Sequence, residues 1–343
     1  MESVVYNEFS FTDYDEYNCD LVQQSIRLQS IYRNFPKMNY RYIVCTDQSK
    51  IVGVMPFIHY TSKLSDIIHS MPFIGYGGPT VITNHIEVFN NLISTLEEYA
   101  ILNNISLITI CTSPFDEFVE SYKNILNPDF TKENFYQFIE LDSHYLEQMK
   151  SKQRNNLKRN LRIANQNNII LKESYNHKDL KFWYENVYVP RLVETNGAIY
   201  PIEVFETFRK EFGGKRVIIN YAIENEKIIG AGFFIKQKKS LDNFMRVIST
   251  DKLYTQAGVL LDKWSIDFAL ENNFKYYNWQ SADAIDSSIY NYKASWGSKT
   301  NKHYYLTKKV GDISKLLNVP LSTIKEEYKN VYVLPFEVFE KGK

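Results

Sequence analysis

The sequence is poor in cysteine and lacks any metal-ligand pattern. Cys19, Cys45 and Cys111 are its three cysteines. An odd, scattered set reads as free thiols in a reducing compartment rather than a disulfide framework. The six histidines (His59, His69, His85, His144, His177 and His303) show no metal-ligand spacing, so no metal is expected. A Gly-x-Ser-x-Gly elbow and a phosphate-binding P-loop are both missing, which sets aside the hydrolases and nucleotidases built on them. Net charge is missing too: 40 Lys and Arg balance 40 Asp and Glu. Such a chain has no long-range field to gather DNA, although a local basic patch can still hold a phosphorylated ligand. The longest apolar stretch, near 228–235, is too short to span a bilayer. The first 18 residues are acidic and carry no apolar signal region. These absences lead to the expectation of a soluble, cytoplasmic protein without membrane insertion.

What is present is a repeat. With 343 residues, 44% of them hydrophobic, the chain can build two cored domains. Residues 40–58 and 220–235 share one pattern: a strand, a polar turn, then Lys-Ile-(Val/Ile)-Gly and a second strand. This is a β-hairpin signature. Gly53 and Gly230 correspond at an offset of 177, from 53 to 230. Each hairpin is followed by a helix pattern and a further strand, at 92–110 and 260–279. In the second copy Ala257, Leu260, Leu261, Trp264 and Phe268 fall on one helical face, and Asn272-Asn273 supplies a left-handed end. In the first copy Asn84 and Glu87 suggest a capping box. Two echoes in one order argue for duplication of an α/β half. The first copy carries about eight extra residues in a Gly- and Pro-rich loop, around 70–80.

Between the copies, helices are expected over 145–167, 182–196 and 201–212, with Pro201 near a first turn. The shift from apolar strand to charged helix near Asp142 places the domain boundary at 143, giving domains 1–143 and 144–343.

Three segments can carry chemistry. The run Thr255-Gln256-Ala257-Gly258-Val259 opens the second-copy helix, where unpaired amides and the helix dipole favour an anion; an ordinary strand-to-helix connection also fits. The run 281–297 follows the last strand of the second copy and holds Asp283, Asp286, Tyr290, Tyr292, Lys293 and Trp296. Its lysine can balance phosphate or oxyanion charge, and either aspartate can take a proton from an amine. A solvated loop is the plainer alternative. The third segment is basic: Lys150, Lys152, Arg154, Lys158, Arg159 and Arg162. It is either a solvated helix face or a grip on a phosphorylated or nucleic-acid ligand.

Three motifs resemble a known family. Met71-Pro72-Phe73-Ile74-Gly75-Tyr76-Gly77-Gly78-Pro79 is similar to the Pro-Phe-x-x-Tyr-Gly-Gly-Pro segment of the BioF-like and CelD-like acetyltransferases, relatives of the Fem peptidoglycan aminoacyltransferases. Segment 153–162 is similar to their basic helix. Tyr290-Asn291-Tyr292-Lys293-Ala294-Ser295-Trp296-Gly297 is similar to their (Tyr/Arg)-x-Phe-Lys-x-x-(Phe/Trp)-Gly motif. The motifs keep their order over about 40–305. Departures are Asn278-Trp279-Gln280 in place of Asp-Phe-Gly, Tyr292 in place of Phe, and no long heptad insertion.

The resemblance implies an α/β (α+β) chain of two tandem GNAT-like domains, mixed sheets flanked by helices, with the donor loop degenerate in the first. It implies direct transfer of an acyl group from a carrier to an amine, with no tightly bound cofactor and with acyl-CoA or aminoacyl-tRNA as co-substrate. Lys293 would sit at the reacting centre, with Asp283, Asp286 or water as base. Thr255, Gln256, Ala257, Gly258 and Val259 would hold the donor. Tyr76, Gly77, Gly78, Arg191, Tyr200, Tyr290 and Tyr292 would meet the acceptor, a small molecule or phosphorylated envelope precursor, in a cleft between the domains. A tRNA-dependent transferase and a non-catalytic binding protein are the alternative readings.

Overall fold

The computed structural model describes residues 1–7, 19–71, 75–281, 284–329 and 331–340. Its strands are β1 (Glu2–Tyr6), β2 (Met38–Asp47), β3 (Lys50–Tyr60), β4 (Ile67–His69), β5 (Thr80–Val81), β6 (Leu107–Cys111), β7 (Phe130–Glu140), β8 (Ile170–Glu173), β9 (Val217–Glu224), β10 (Lys227–Lys236), β11 (Ser240–Ile248), β12 (Tyr276–Ser281) and β13 (Lys299–Lys309). Four helices matter below: α1 (His85–Leu102), α2 (Ser151–Gln166), α3 (Ala257–Glu271) and α4 (Ser288–Ala294). The chain forms two compact units, Met1–Asn134 with Lys302–Lys343, and Phe135–Asn301.

Each unit repeats one strand order. In the first it is β1-β2-β3-β4-β6-β13, with β5 added to β3; in the second it is β8-β9-β10-β11-β12-β7. All neighbours in these rows whose register is given are antiparallel except β4 with β6 and β11 with β12, which are parallel. A parallel pair needs a crossover, and α1 and α3 supply it. Both hairpins turn on two residues of positive φ, Gln48-Ser49 (46°, 64°) and Asn225-Glu226 (47°, 64°). That is the type I′ geometry that suits strand twist, and the two turns lie at the same 177-residue offset as the glycines, from 48 to 225. Gly53 is kept bare by α1, since a Cβ there would lie 2.3 Å from Val88 Cγ1.

The units differ from the expected boundary at 143 in two ways. The division falls after Asn134, and residues 302–343 return to the first unit. The cause is the sixth strand: β13 pairs with β6 through Tyr305↔Cys111 to Lys309↔Leu107, while β7 pairs with β12. The tail is fastened to the same unit by Lys37–Glu327 (2.6 Å) and by Tyr60 donating to the Glu327 carbonyl (2.7 Å).

The other expectations are met unevenly. The helix expected over 145–167 is a short 3₁₀ turn followed by α2. The helix expected over 182–196 starts earlier, at His177, and carries a π segment at Tyr184–Tyr188. Asn84 forms no capping box: it takes φ 48° and its side chain caps nothing, because a left-handed residue aims its side chain away from the first turn. Gln256 opens α3 in the same left-handed way, at φ 61°.

The cores follow this plan. In the first unit α1 lays Val88, Phe89, Leu92, Ile93 and Leu96 against Ile43, Phe57 and Ile108. In the second, α3 packs Ile266 and Ala269 against Ile218, Phe234 and Tyr277. The buried face of α3 is not the one its apolar spacing marks. Leu260, Trp264 and Phe268 are half-buried, whereas Leu261, Asp262, Ser265, Ile266 and Ala269 are buried. Two polar residues at buried positions turn the apparent face by about one residue.

Strands β11 and β12 position the site by parting. Their pairing runs only from Ser240↔Tyr276 to Asp242↔Asn278, and beyond it β11 stays bonded to β10 alone as far as Ile248. Fully buried Asp242 stands at the parting point. Its carboxylate accepts from Ser240 Oγ (2.6 Å), Gln237 Nε2 (3.2 Å) and Gln280 Nε2 (3.0 Å). Burial pushes this carboxyl up to about 6, the hydrogen bonds pulling back only in part.

A raised carboxyl favours the folded state when protonated, so its contribution is complete below pH 3.8 and is lost as pH rises through about 6. The stability of the protein relative to its Asp242→Asn variant is therefore expected to fall across that window, by on the order of 3 kcal/mol, and to level off near neutrality. Urea unfolding midpoints of both proteins measured at several pH values test this; a constant difference shows that Asp242 does not titrate there.

Candidate functional site

The gap left by β11 and β12 is a cavity of about 480 Å³ within the second unit. Apolar side chains, among them Phe244, Met245, Trp279 and Ile289, form most of its wall. Three cations, Arg191, Arg246 and Lys293, line it as well. None of the described lining residues is Asp or Glu. An apolar pocket with a few convergent polar groups is the usual form of a small-ligand site.

Behind this wall lies Asp262, on α3 and fully buried. Arg246 Nε on β11 lies 3.0 Å from its Oδ1, and Asn243 Nδ2 donates to the same oxygen at 3.1 Å. Tyr292 on α4 donates its hydroxyl to Oδ2 at 2.6 Å. Asn243 also donates to the Tyr277 hydroxyl (2.9 Å), which is 2.8 Å from Ser265 Oγ. One carboxylate thus binds a strand and two helices. Burial pushes the Asp262 carboxyl upward, against the pull of Arg246, Tyr292 and Asn243. Burial and the Asp262 charge together push the Tyr292 phenol upward, so it remains a donor. Arg246 lies over the Tyr292 ring at 5.2 Å. Gly258 makes this possible: a Cβ there would lie 2.3 Å from Arg246 Nη1.

Lys293 enters from α4, which Ser287 caps by accepting from Tyr290 N at 3.1 Å. The run 281–297 is therefore partly helical, not the solvated loop of the plainer alternative. Lys293 is 9% exposed, and its Nζ donates to the carbonyls of Ser281 (2.7 Å) and Gln280 (3.2 Å). Those carbonyls are presented by an irregular stretch of β12, where the register with β7 shifts between Asn278 and Ser281 and Gln280 takes φ 63°. Non-glycine residues pay strain in that region and hold it where the surroundings demand it. Here Gln280 is tied twice, by its amide N–H to Asn278 Oδ1 (2.9 Å) and by Nε2 to Asp242.

The expected residues fall into separate groups. Lys293, Tyr292 and Arg191 line the cavity; Arg191 Nη1 also donates to Thr250 Oγ1 at 2.9 Å and lies 3.7 Å from Glu194. Thr255, Gln256, Ala257, Gly258 and Val259 form the start of α3, where Thr255 Oγ1 accepts the Ala257 N–H (3.3 Å) and the close neighbour of Gly258 is Arg246. Tyr200 is stacked on Phe244 at 5.9 Å, one layer behind the wall. Tyr290 is directed to Thr300, its hydroxyl 3.0 Å from Oγ1, and does not line the cavity. Asp286 is exposed on the turn before α4 and also does not line it. Asp283 lies outside the described residues, as do Pro72, Phe73 and Ile74.

Tyr76, Gly77 and Gly78 belong to the interior of the first unit. Tyr76 is buried with its ring edge-on to His303 at 5.0 Å. A Cβ at Gly77 would lie 2.5 Å from the Ser70 carbonyl. Cys111 donates its N–H to Ser70 Oγ (2.8 Å) and its thiol to the Gly75 carbonyl (2.9 Å). The loop fills the end of the β4–β6 pair, where the second unit has its cavity.

Of the basic run, Arg154 turns back to the Met149 carbonyl at 2.7 Å, while Lys152, Lys158, Arg159 and Arg162 are exposed. Arg246, Asp262 and Asn243 were not singled out from the sequence. An isolated Arg and Asp 16 residues apart (246 to 262) carry no motif; the one available sign was a charged residue inside the apolar stretch of a helix.

No family model matches the chain, and no curated protein matches it in sequence. Solved structures do match in shape. FemX superimposes with a TM-score of 0.65 at 11% identity, over 89% of this chain and 97% of that one. The C-terminal domain of a putative lysylphosphatidylglycerol synthetase from Agrobacterium fabrum gives 0.58 at 14% identity, over 90% and 95%. L-PGS from Bacillus licheniformis gives 0.55 at 10% identity, over 84% and 87%. None of these bears on the narrower BioF-like and CelD-like likeness. With most of each chain covered, this chain shares the fold of FemX, of the putative lysylphosphatidylglycerol synthetase domain and of L-PGS.

Proposed function

We propose that the second unit is an acyltransferase site, moving an acyl group from a carrier to an amine by direct attack. The observation that carries this reading is Lys293: an ammonium at 9% exposure, fixed on two carbonyls and facing a cavity opened by parted parallel strands. An ammonium so placed can balance the charge that develops on a carbonyl oxygen, and a fixed donor loses little in reorganisation. The start of α3, Thr255 to Val259, does not line this cavity; its helix dipole offers a second positive end for the donor's phosphates. With no Asp or Glu among the described lining residues, the amine's proton passes to water or to Asp283. The first unit keeps the fold with its corresponding space filled, so donor and chemistry are assigned to the second.

One neighbour's name supports this reading: a putative lysylphosphatidylglycerol synthetase is named for a product that carries a lysyl group. Acyl-CoA is the donor proposed first, with a small or phosphorylated envelope-precursor acceptor and a cytoplasmic location. Among the described residues no helix is long and apolar enough to cross a membrane. Aminoacyl-tRNA is the second reading. It is favoured by α2, which contains no Asp or Glu and exposes Lys152, Lys158, Arg159 and Arg162, a surface suited to phosphates.

Calorimetric titration separates the donors. CoA is expected to saturate the protein, while charged tRNA gives no saturable heat; saturable, salt-dependent binding of tRNA without binding of CoA reverses the assignment. Lys293→Met is expected to lower kcat at least about tenfold, roughly 1.4 kcal/mol of transition-state stabilisation, with a smaller change in KM. Lys293→Arg is expected to recover part of it. Wild-type turnover in a folded Lys293→Met protein removes Lys293 from the chemistry.

A further inference from the structure

Arg246 is built into the cavity wall with more care than pairing with Asp262 requires. Its Nε lies 3.0 Å from the carboxylate. The rest of the guanidinium lies over the Tyr292 ring and beside the bare Cα of Gly258. Its side chain is 26% exposed, and the space it faces is the cavity. A guanidinium has five N–H donors in a planar fork, and its terminal nitrogens bond to none of the described residues. A fork held in one orientation, with its end open to an apolar cavity lacking described acids, is the arrangement that recognises a planar oxyanion.

We propose that Arg246 is the oxyanion receptor of the cavity, and that the ligand bound between β11 and β12 carries a carboxylate or phosphate that pairs with the outer edge of the guanidinium. This rests on the cavity being the substrate site, as argued above, and adds to it the class of substrate. Asp262, Tyr292 and Gly258 are then positioning residues. The first fixes Nε, the second supports the plane, and the third leaves room for Nη1. The apolar wall formed by Phe244, Met245 and Trp279 would take the remainder of the ligand, so the best fit is an anionic group attached to an apolar body. An N-acyl amino acid, the product of acyl transfer to the amine of an amino acid, has that form.

Binding alone tests the proposal, so it stands or falls separately from turnover. N-acetyl-leucine and N-acetyl-leucinamide differ by one charge at similar size; both are titrated calorimetrically into the whole protein, together with inorganic phosphate. The wild type is expected to bind the acid, or phosphate, at least about tenfold more tightly than the amide. Whichever anion saturates shows which oxyanion is read. Arg246→Gln alone leaves a buried carboxylate without its cation and risks unfolding, so it is combined with Asp262→Asn. That double variant is expected to bind acid and amide alike. In Gly258→Ala both charges remain but the added methyl displaces Nη1, and anion affinity is expected to drop several-fold. Equal affinity for acid and amide in the wild type, no saturable anion binding, or a preference that survives the double variant overturns the proposal. Turnover with acyl donors in the face of such a result leaves the transferase reading intact and removes only Arg246.

Discussion

The candidate site depends on one buried carboxylate. Asp262 accepts from β11 through Arg246 and Asn243 and from α4 through Tyr292, so three elements that share no ladder at that point are held in one relative position. Coulombic attraction alone would not justify such a group in a protein interior, where desolvation is costly. What offsets the cost is that both oxygens are hydrogen-bonded and one donor is a cation. The same accounting explains why the wall is stiff: moving α4 away from β11 would strand the charge. Lys293 rides on α4 and inherits that stiffness.

Much of the fold was legible because the chain states it twice. The hairpins and the helix-strand units repeat in order, and the I′ turns at 48–49 and 225–226 keep the glycine offset. The motif pointed to Lys293, which lines the cavity. The sequence misled where polar residues are buried. The periodicity of α3 marks Leu260, Trp264 and Phe268 as the inner face, yet Asp262 and Ser265 are inside, because hydrogen bonds among Asn243, Tyr277 and Tyr292 satisfy them. Pattern reading assigns polar side chains to solvent, and so it passes over the network that builds the site. It also took Tyr76, Gly77 and Gly78 for a ligand wall. Glycines signal close approach, but the sequence does not say to what, and here Gly77 meets Ser70 and Gly78 the Cys111 carbonyl.

Comparison of the two halves shows how one scaffold yields a cavity in one case and a plug in the other. In the second unit β11 runs six residues beyond its parallel pairing, Asn243 to Ile248, and β12 three, Trp279 to Ser281, and the divergence makes room. In the first, β4 has three residues, all of them paired, and Gly75 to Gly78 lie against Ser70 and Cys111 at the ends of β4 and β6. The described part of the insertion seen as a difference in offset, Gly75 to Gly78, thus occupies that end. Gain or loss of a site here is a matter of strand length and loop length, not of a change in topology.

The sixth strand of the first unit has a consequence for biogenesis. β13 lies beyond the whole of the second unit in the chain, whereas residues 135–301 are contiguous. A nascent chain emerging from the ribosome therefore exposes β6 with an open edge while the second unit is still being made. The usual vectorial order, in which the amino-terminal body finishes first, is inverted: the carboxy-terminal body can close its sheet first, and the earlier one waits for residues 302–309. During that interval the uncovered edge of β6, flanked by apolar Leu107, Ile108 and Ile110, is the segment most in need of a chaperone's protection.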